Sequence, residues 1–267
     1  MKTADTTDVV DDIGYGLQFA GWYDRLFPSD DSVDVEVERL VSLHPDPGSG
    51  TVEFGVGNGR LALPLSRRVG PVVGVDSSAE MLDVLRANLR PDTPVEAVHA
   101  DIRTYTAART VGLVYCVCAT LSMLLTPEDQ RQAVRRAADL LAPGGRLVVE
   151  THNKSAIVDL HEGRRRATFF TPYPTAGTGL QSHSVLEPED SLWHLSHIWY
   201  EADGSTRVGT EVSRLTGADE LDAYARAAGL WPESRLGDWD PEADTHDELS
   251  PLTICTYVKP SRPASAA

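Results

Sequence analysis

The stretch VEFGVGNGRLALPL (52–65) carries Gly55, Gly57 and Gly59 between an apolar run and an amphipathic one. Alternate glycines weaken strand and helix alike. Their use is a turn without bulky side chains, where backbone meets a ligand and the free N–H groups of the next helix face it. The next apolar run ends in Asp76, 17 residues after Gly59. An acid at that tip is placed to accept both hydroxyls of a ribose. The run after it ends in Asp101, where an adenine amino group would lie. Glu53 stands just ahead of the first glycine. A carboxylate there opposes a pyrophosphate but suits a cation, such as a sulfonium carrying an α-amino group.

The elements that hold these residues are legible as an alternation. Strand-length apolar runs occur at 51–55, 71–76, 95–101, 112–119 and 145–151, with helical patterns at 59–69, 78–89 and 127–141. Thr126 caps the last helix, Pro127 opens it, and Pro143-Gly144-Gly145 stops it. Strands apolar on both faces, alternating with helices, predict a parallel sheet covered on both sides. From 167 to 215 the pattern becomes alternating and aromatic-rich, with runs at 181–187, 192–201 and 206–215. The turns EPED (187–190) and EADG (201–204) separate these runs, predicting an inserted antiparallel meander. A helix at 217–230 and a closing antiparallel pair at 234–239 and 251–259 complete the chain. Residues 33–43 read as a helix, and 1–12 and 260–267 as loose tails.

The motifs VEFGVGNGRLALPLSRR, VVGVDSSAEMLDVLRANL, VHADIRTY, CATLSMLLTPEDQ and LLAPGGRLVVE together resemble class I S-adenosylmethionine (SAM)-dependent methyltransferases of the small-molecule type. The resemblance is close from Tyr15 to Gly145 and looser beyond. It implies an α/β fold, a Rossmann-like seven-stranded sheet of order 3-2-1-4-5-7-6 with strand 7 antiparallel. It implies SAM as cofactor and S-adenosylhomocysteine as product. Carried over, Glu53, Gly55, Gly57 and Gly59 line the methionine part, and Asp76 holds the ribose. Ser77 and Met81 flank the adenine, Asp101 and Ile102 meet its ring, and Cys118 with Ala119 lies under the sulfonium. Tyr15 or Tyr23 closes over the carboxylate. The resulting division is 1–43 as an N-terminal lid or helical segment, 44–155 with 216–260 as the SAM-binding core, 156–215 as the substrate cover, and 261–267 as a tail.

The substrate side rests on fewer signals. On LWHLSHIWYE, Trp193, Leu195, His197 and Trp199 share a face. A register that pairs His183 with His197 makes a histidine pair beside a pocket; the same run also describes a mixed surface sheet with packing tryptophans. His152, after the fifth strand, is a candidate general base or an ordinary loop histidine. Trp22 in the aromatic N-terminal segment and Trp239 in GDWD are candidates for substrate contact or for packing. His99 reads as structural, and Arg164-Arg165-Arg166 as a solvated charge run.

A net charge of −16 repels phosphate backbones and anionic membranes, which disfavours nucleic acid and lipid as partners. The segment Cys118-Ala-Thr-Leu-Ser also departs from the Asn/Asp-Pro-Pro-aromatic pattern of nucleic-acid methyltransferases. No apolar run reaches the ~18 residues of a membrane helix, and no signal peptide is evident, so a cytoplasmic location is expected. The three cysteines have no zinc spacing, and no metal is expected. The expected protein is a monomer or homodimer that transfers methyl from SAM to O or N of a small, natural-product-like substrate. The alternative keeps SAM bound while catalysing a cyclisation or rearrangement.

Overall fold

The computed structural model describes residues 10, 12–27, 31–240 and 246–261. Apart from residues 10, 12, 260 and 261, the expected tails lie outside the described residues. The N-terminal aromatic segment forms two short helices, α1 (Tyr15–Phe19) and α2 (Tyr23–Leu26), followed by α3 (Asp31–Leu43). The alternation then runs β1 (Thr51–Phe54), α4 (Ala62–Val69), β2 (Val72–Asp76), α5 (Ala79–Asn88), β3 (Val95–His99) and β4 (Val111–Cys116). It continues with α6 (Pro127–Leu140), β5 (Leu141–His152) and α7 (Lys154–Leu160). Four strands follow: β6 (Arg166–Pro172), β7 (Gly179–Glu187), β8 (Leu192–Tyr200) and β9 (Thr206–Arg214). The chain closes with α8 (Ala218–Ala227), β10 (Trp231–Leu236) and β11 (Leu252–Val258).

The main sheet has the order β3-β2-β1-β4-β5-β11-β10, with β11 antiparallel to both neighbours. This is the expected 3-2-1-4-5-7-6 topology. Every residue of β1 and β4 is buried, because helices cover both faces. One face packs Val114, Leu147 and Val149 with Val134 of α6 and Leu221 of α8. The other packs Leu113, Tyr115 and Val148 with Leu40 of α3, Leu65 of α4 and Leu82 of α5. β1 pairs with β2 on one side and β4 on the other, so the strand order reverses there and opens a crevice at the strand C-termini.

Two local readings change. The fifth strand begins at Leu141, not at 145, because the register steps from Val111↔Leu141 to Leu113↔Arg146. Residues 142–145 thus oppose Gly112 alone, and Pro-Gly-Gly is a bulge within the strand rather than only a helix stop. The cover sheet has four strands instead of the three expected. The missed strand, β6, is an edge strand that begins at Arg166, the last of the arginine run, and most of its residues are exposed. That composition gives little apolar alternation to read.

The meander register also corrects the histidine pairing. Ser182 faces His197, and His183 faces Ser196. The connection occupies Pro188–Ser191, with Ser191 at φ 58°, since Glu187 still pairs with Leu192. A slip of one residue sends a side chain to the opposite face. His183 therefore points outward, toward Thr168 and Gln181, while His197 points inward. Trp193 and Trp199 anchor the inner face: Trp193 packs with Leu186 and Leu195, and Trp199 with Phe19 and Trp22.

Among the described residues no helix is long and apolar enough to cross a membrane. Gly59 sits at φ 85°, and a Cβ there would come within 2.4 Å of Leu85 Cδ1. It lets α5 pack against the start of the following helix. Gly59→Ala is expected to cost about 1–3 kcal/mol through strain and overpacking. A lower urea midpoint at unchanged m-value would register that loss.

Candidate functional site

The crevice is a cavity of about 900 Å³. The tips of all five parallel strands reach it: Gly55 and Gly57 after β1, Asp76 on β2, Asp101 after β3, Cys118 after β4, and Glu150 and His152 on β5. Gly57 turns at φ 53°, and its N–H donates to Asp76 Oδ2 at 2.8 Å. Ser78 N–H donates to Asp76 Oδ1 at 2.9 Å. Burial pushes the Asp76 carboxyl up, opposed by these two backbone donors. Ser77, Met81 and Ile102 complete this end of the wall. Asp101 is held by Arg103, which also reaches Asp129 at 2.9 Å.

Glu53 lies behind the glycine turn, 3% exposed, and accepts the Tyr115 hydroxyl at 2.7 Å. Burial pushes its carboxyl up to about 8. Glu150 accepts Trp239 Nε1–H at 2.6 Å, and burial pushes its carboxyl up to about 7. Arg60 grips Glu36 with two 2.8 Å bonds and reaches Cys118 Sγ at 2.8 Å. Burial raises the Cys118 thiol to about 12, so it is not a thiolate near neutrality. Cys118 and Ala119 are successive non-glycine residues at positive φ, 52° and 55°. Backbone of that kind is costly and concentrates at functional sites.

The remaining walls come from the N-terminal segment and the cover sheet. Tyr15 and Tyr23 line the cavity, their phenols raised by burial, and so remain protonated donors. Tyr15 stacks on Phe19 at 4.5 Å. Several contacts tie the segment down: Asn58 Nδ2 donates to Asp24, Gln18 Oε1 accepts from Thr210 N–H at 2.7 Å, the Tyr173 hydroxyl donates to Leu26 O at 3.0 Å, and Arg25 pairs with Glu201. Gly209 makes the Gln18–Thr210 tie possible, since a Cβ there would lie 2.5 Å from Phe19 Cε1. Thr210, Glu211 and Val212 face the cavity from β9, and Trp239 closes the side beside Glu150. His152 lines the cavity with the Trp193 ring edge-on at 5.0 Å, and burial lowers its pKa.

Several expected residues lie outside the cavity lining. Gly59 packs against α5 instead of facing it. Trp22, Trp193 and Trp199 support the walls from behind, in the aromatic clusters already described. His183 is on the outer face, and His197 reaches the cavity only through Glu211. Arg164-Arg165-Arg166 lines a separate groove of about 610 Å³ with Glu187; Arg164 and Arg165 are paired with Glu162 and Glu187 there.

Glu150 was legible but missed, being an acid near the end of an apolar run, as Asp76 is. The Glu36–Arg60 pair and Glu211 carried no local signal, since they meet the site only by folding. Seven carboxyls (Glu36, Glu53, Asp76, Asp101, Asp129, Glu150, Glu211) face two guanidiniums in this cavity. Both guanidiniums, Arg60 and Arg103, are already in ion pairs. The site therefore favours a cationic ligand.

The raised carboxyls give this excess charge a pH signature. Unfolded glutamates titrate near 4.3, so the folded state holds extra protons from there up to about 7 for Glu150 and 8 for Glu53. Their stabilisation is full below the unfolded pKa and is lost as pH rises through the folded ones. The ligand-free protein is expected to lose stability across that window, at up to about 1.4 kcal/mol per pH unit per group. Glu53→Gln is expected to flatten the slope; melting curves from pH 5 to about 8.5 test this, and an unchanged slope would oppose the assignment.

A family model described as a methyltransferase domain matches residues 52–145. A carboxy-S-adenosyl-L-methionine synthase of Photobacterium profundum is 24% identical over 204 residues, covering 71% of this chain and 82% of that one. The structure of the CcbJ methyltransferase from Streptomyces caelestis superposes with TM-score 0.79 at 27% identity, covering 94% of this chain and 100% of that one. SAM-bound CalS10, an amino pentose methyltransferase from Micromonospora echinaspora, shares the fold with TM-score 0.65 at 20% identity, covering 90% and 95% of the two chains.

Proposed function

Because the chain belongs to the class I SAM-dependent methyltransferases and uses SAM, we propose that it methylates an oxygen or nitrogen of a small natural product. The observation that carries this reading is the two-sided cavity. One half is the glycine turn and the acidic strand tips; the other is roofed by the inserted sheet and the N-terminal helices. A nucleic-acid acceptor does not suit such a roofed, acidic cavity. The amino pentose acceptor of the CalS10 enzyme fits a substrate of this size and polarity.

The residues present fit SAM. Asp76, already polarised by two backbone donors, would take the ribose hydroxyls. Ser77, Met81 and Ile102 would flank the adenine, and Asp101 would meet its amino group. Gly55 and Gly57 would bring backbone to the methionine part, with Glu53 behind them and Cys118 beneath the sulfonium. Tyr15 and Tyr23, as protonated phenols, would donate to the carboxylate. When bound, SAM supplies an electrophilic methyl group on a sulfonium.

The protein's part is then to align the acceptor and exclude water. The Gln18–Thr210 and Asn58–Asp24 ties hold the roof over both halves. His152, kept neutral by burial, would accept a proton from a hydroxyl acceptor.

Asp76→Ala is expected to weaken SAM binding about tenfold to a hundredfold, the loss of a charge-assisted hydrogen bond or more. Calorimetry measures it, with the variant's unfolding midpoint as the check on folding. Turnover against panels of amines, phenols and sugars, read by mass spectrometry, tests the activity. A product that gains one methyl as SAM becomes S-adenosylhomocysteine supports the reading. A product without the methyl, or SAM left intact during turnover, would favour a cyclisation or rearrangement instead.

A further inference from the structure

We propose that Glu211, oriented by His197, receives a cationic amine on the methyl acceptor, so that the acceptor atom is nitrogen. This rests on the methyltransferase reading and identifies the substrate class of that same cavity. Glu211 lies on the inner face of β9, opposite Leu195 and one step from His197 on β8. It lines the cavity from the roof, whereas most of the other carboxyls there come from the strand tips and their loops.

Its partner is fixed from three sides. His197 Nε2 lies 3.3 Å from Glu211 Oε1, and His197 Nδ1 lies 2.8 Å from the buried Ser182 hydroxyl. The Phe19 ring meets the imidazole edge-on at 6.2 Å. A carboxylate only accepts, so Nε2 carries the proton in this pair. His197 thus holds one oxygen of Glu211 and leaves its orientation little freedom. Among the described residues no donor is in hydrogen-bond reach of the second oxygen.

Apart from His197, the groups facing Glu211 carry no positive charge near neutrality. Tyr15 comes from α1, and the Glu211 charge adds to the burial that raises its phenol. His152 comes from β5, where burial lowers its pKa and Glu211 only partly offsets this. Both are neutral near pH 7. No lysine or arginine among the described residues pairs with Glu211, whose side chain is only 13% exposed.

A largely buried carboxylate with one free oxygen, no lysine or arginine beside it and two neutral aromatics around it matches an ammonium group. An alcohol in the same position would leave the charge unmatched, which is how a polar site rejects an analogue. The bound ammonium passes its proton to the Glu211 carboxylate, which frees the nitrogen lone pair and leaves a neutral carboxyl.

The acceptor is unidentified, so the test uses a matched pair of probes, cyclohexylamine and cyclohexanol. Binding of each is measured by saturation-transfer NMR near pH 7.5, with S-adenosylhomocysteine present. The wild type is expected to bind the amine at least about tenfold more tightly than the alcohol. Glu211→Gln is expected to bring the two within about twofold while S-adenosylhomocysteine affinity stays unchanged. His197→Gln keeps an N–H donor and is expected to preserve the preference, whereas His197→Phe reduces it. Should Glu211→Gln fail to fold, the contrast between the His197 variants carries the same test. A wild type without amine preference, or a preference that survives Glu211→Gln or His197→Phe, overturns the proposal. Failure of the wild type to bind S-adenosylhomocysteine would instead count against the methyltransferase reading beneath it.

Discussion

A parallel sheet covered on both faces can hold charge only where its strands end. Within β1 and β4 every position is buried between helices, so a carboxylate in mid-strand would face hydrocarbon on either side. At the C-terminal tips the backbone opens into turns, and β1 has neighbours running on to opposite sides of the sheet. Asp76 and Asp101 stand at or just past such tips, and Glu150 lies two residues short of one. Glu53, like Glu150, lies within its strand and shows the cost. It sits inside β1, held by one phenol, with its carboxyl driven well above the usual range.

The crevice therefore concentrates carboxyls whose charge is relieved by protonation or by a cation. Its arginines do not provide that relief. Arg60 is occupied by Glu36 and buttresses the Cys118 turn, and Arg103 ties Asp101 to Asp129. The same logic extends to the roof, where Glu211 is oriented by the His197 imidazole and has no lysine or arginine partner among the described residues. A sulfonium on one side and an ammonium on the other would satisfy two faces of a single acidic cavity.

The roof depends on small residues as much as on large ones. Gly209 admits Phe19 against β9, and Phe19 in turn packs against His197 and Trp22. Of the four tryptophans expected to touch substrate, Trp239 lines the cavity and the other three stand behind its wall: Trp22 and Trp199 pack among the N-terminal aromatics, and Trp193 packs edge-on against His152. Aromatic alternation in a strand reports which face is buried, but not whether that face meets a ligand or the protein's own core.

The order of the main sheet, the glycine turn and the acids Asp76 and Asp101 were legible because their signals are local. Strand length, a turn and a terminal acid all lie within a few residues of one another. Glu150 obeyed the same rule and was available to the same reasoning. The tertiary structure decided what depends on register and on contacts between distant segments. One residue of slip in the β7–β8 hairpin sent His183 to solvent and His197 inward. Glu36 reached Arg60 across 24 positions, and Gln18 reached Thr210 across 192. Hydrophobic period fixes which elements form, since burial repeats every two or 3.6 residues. The pairing of two faces is set by the packing of whole elements, and no local window of sequence contains it.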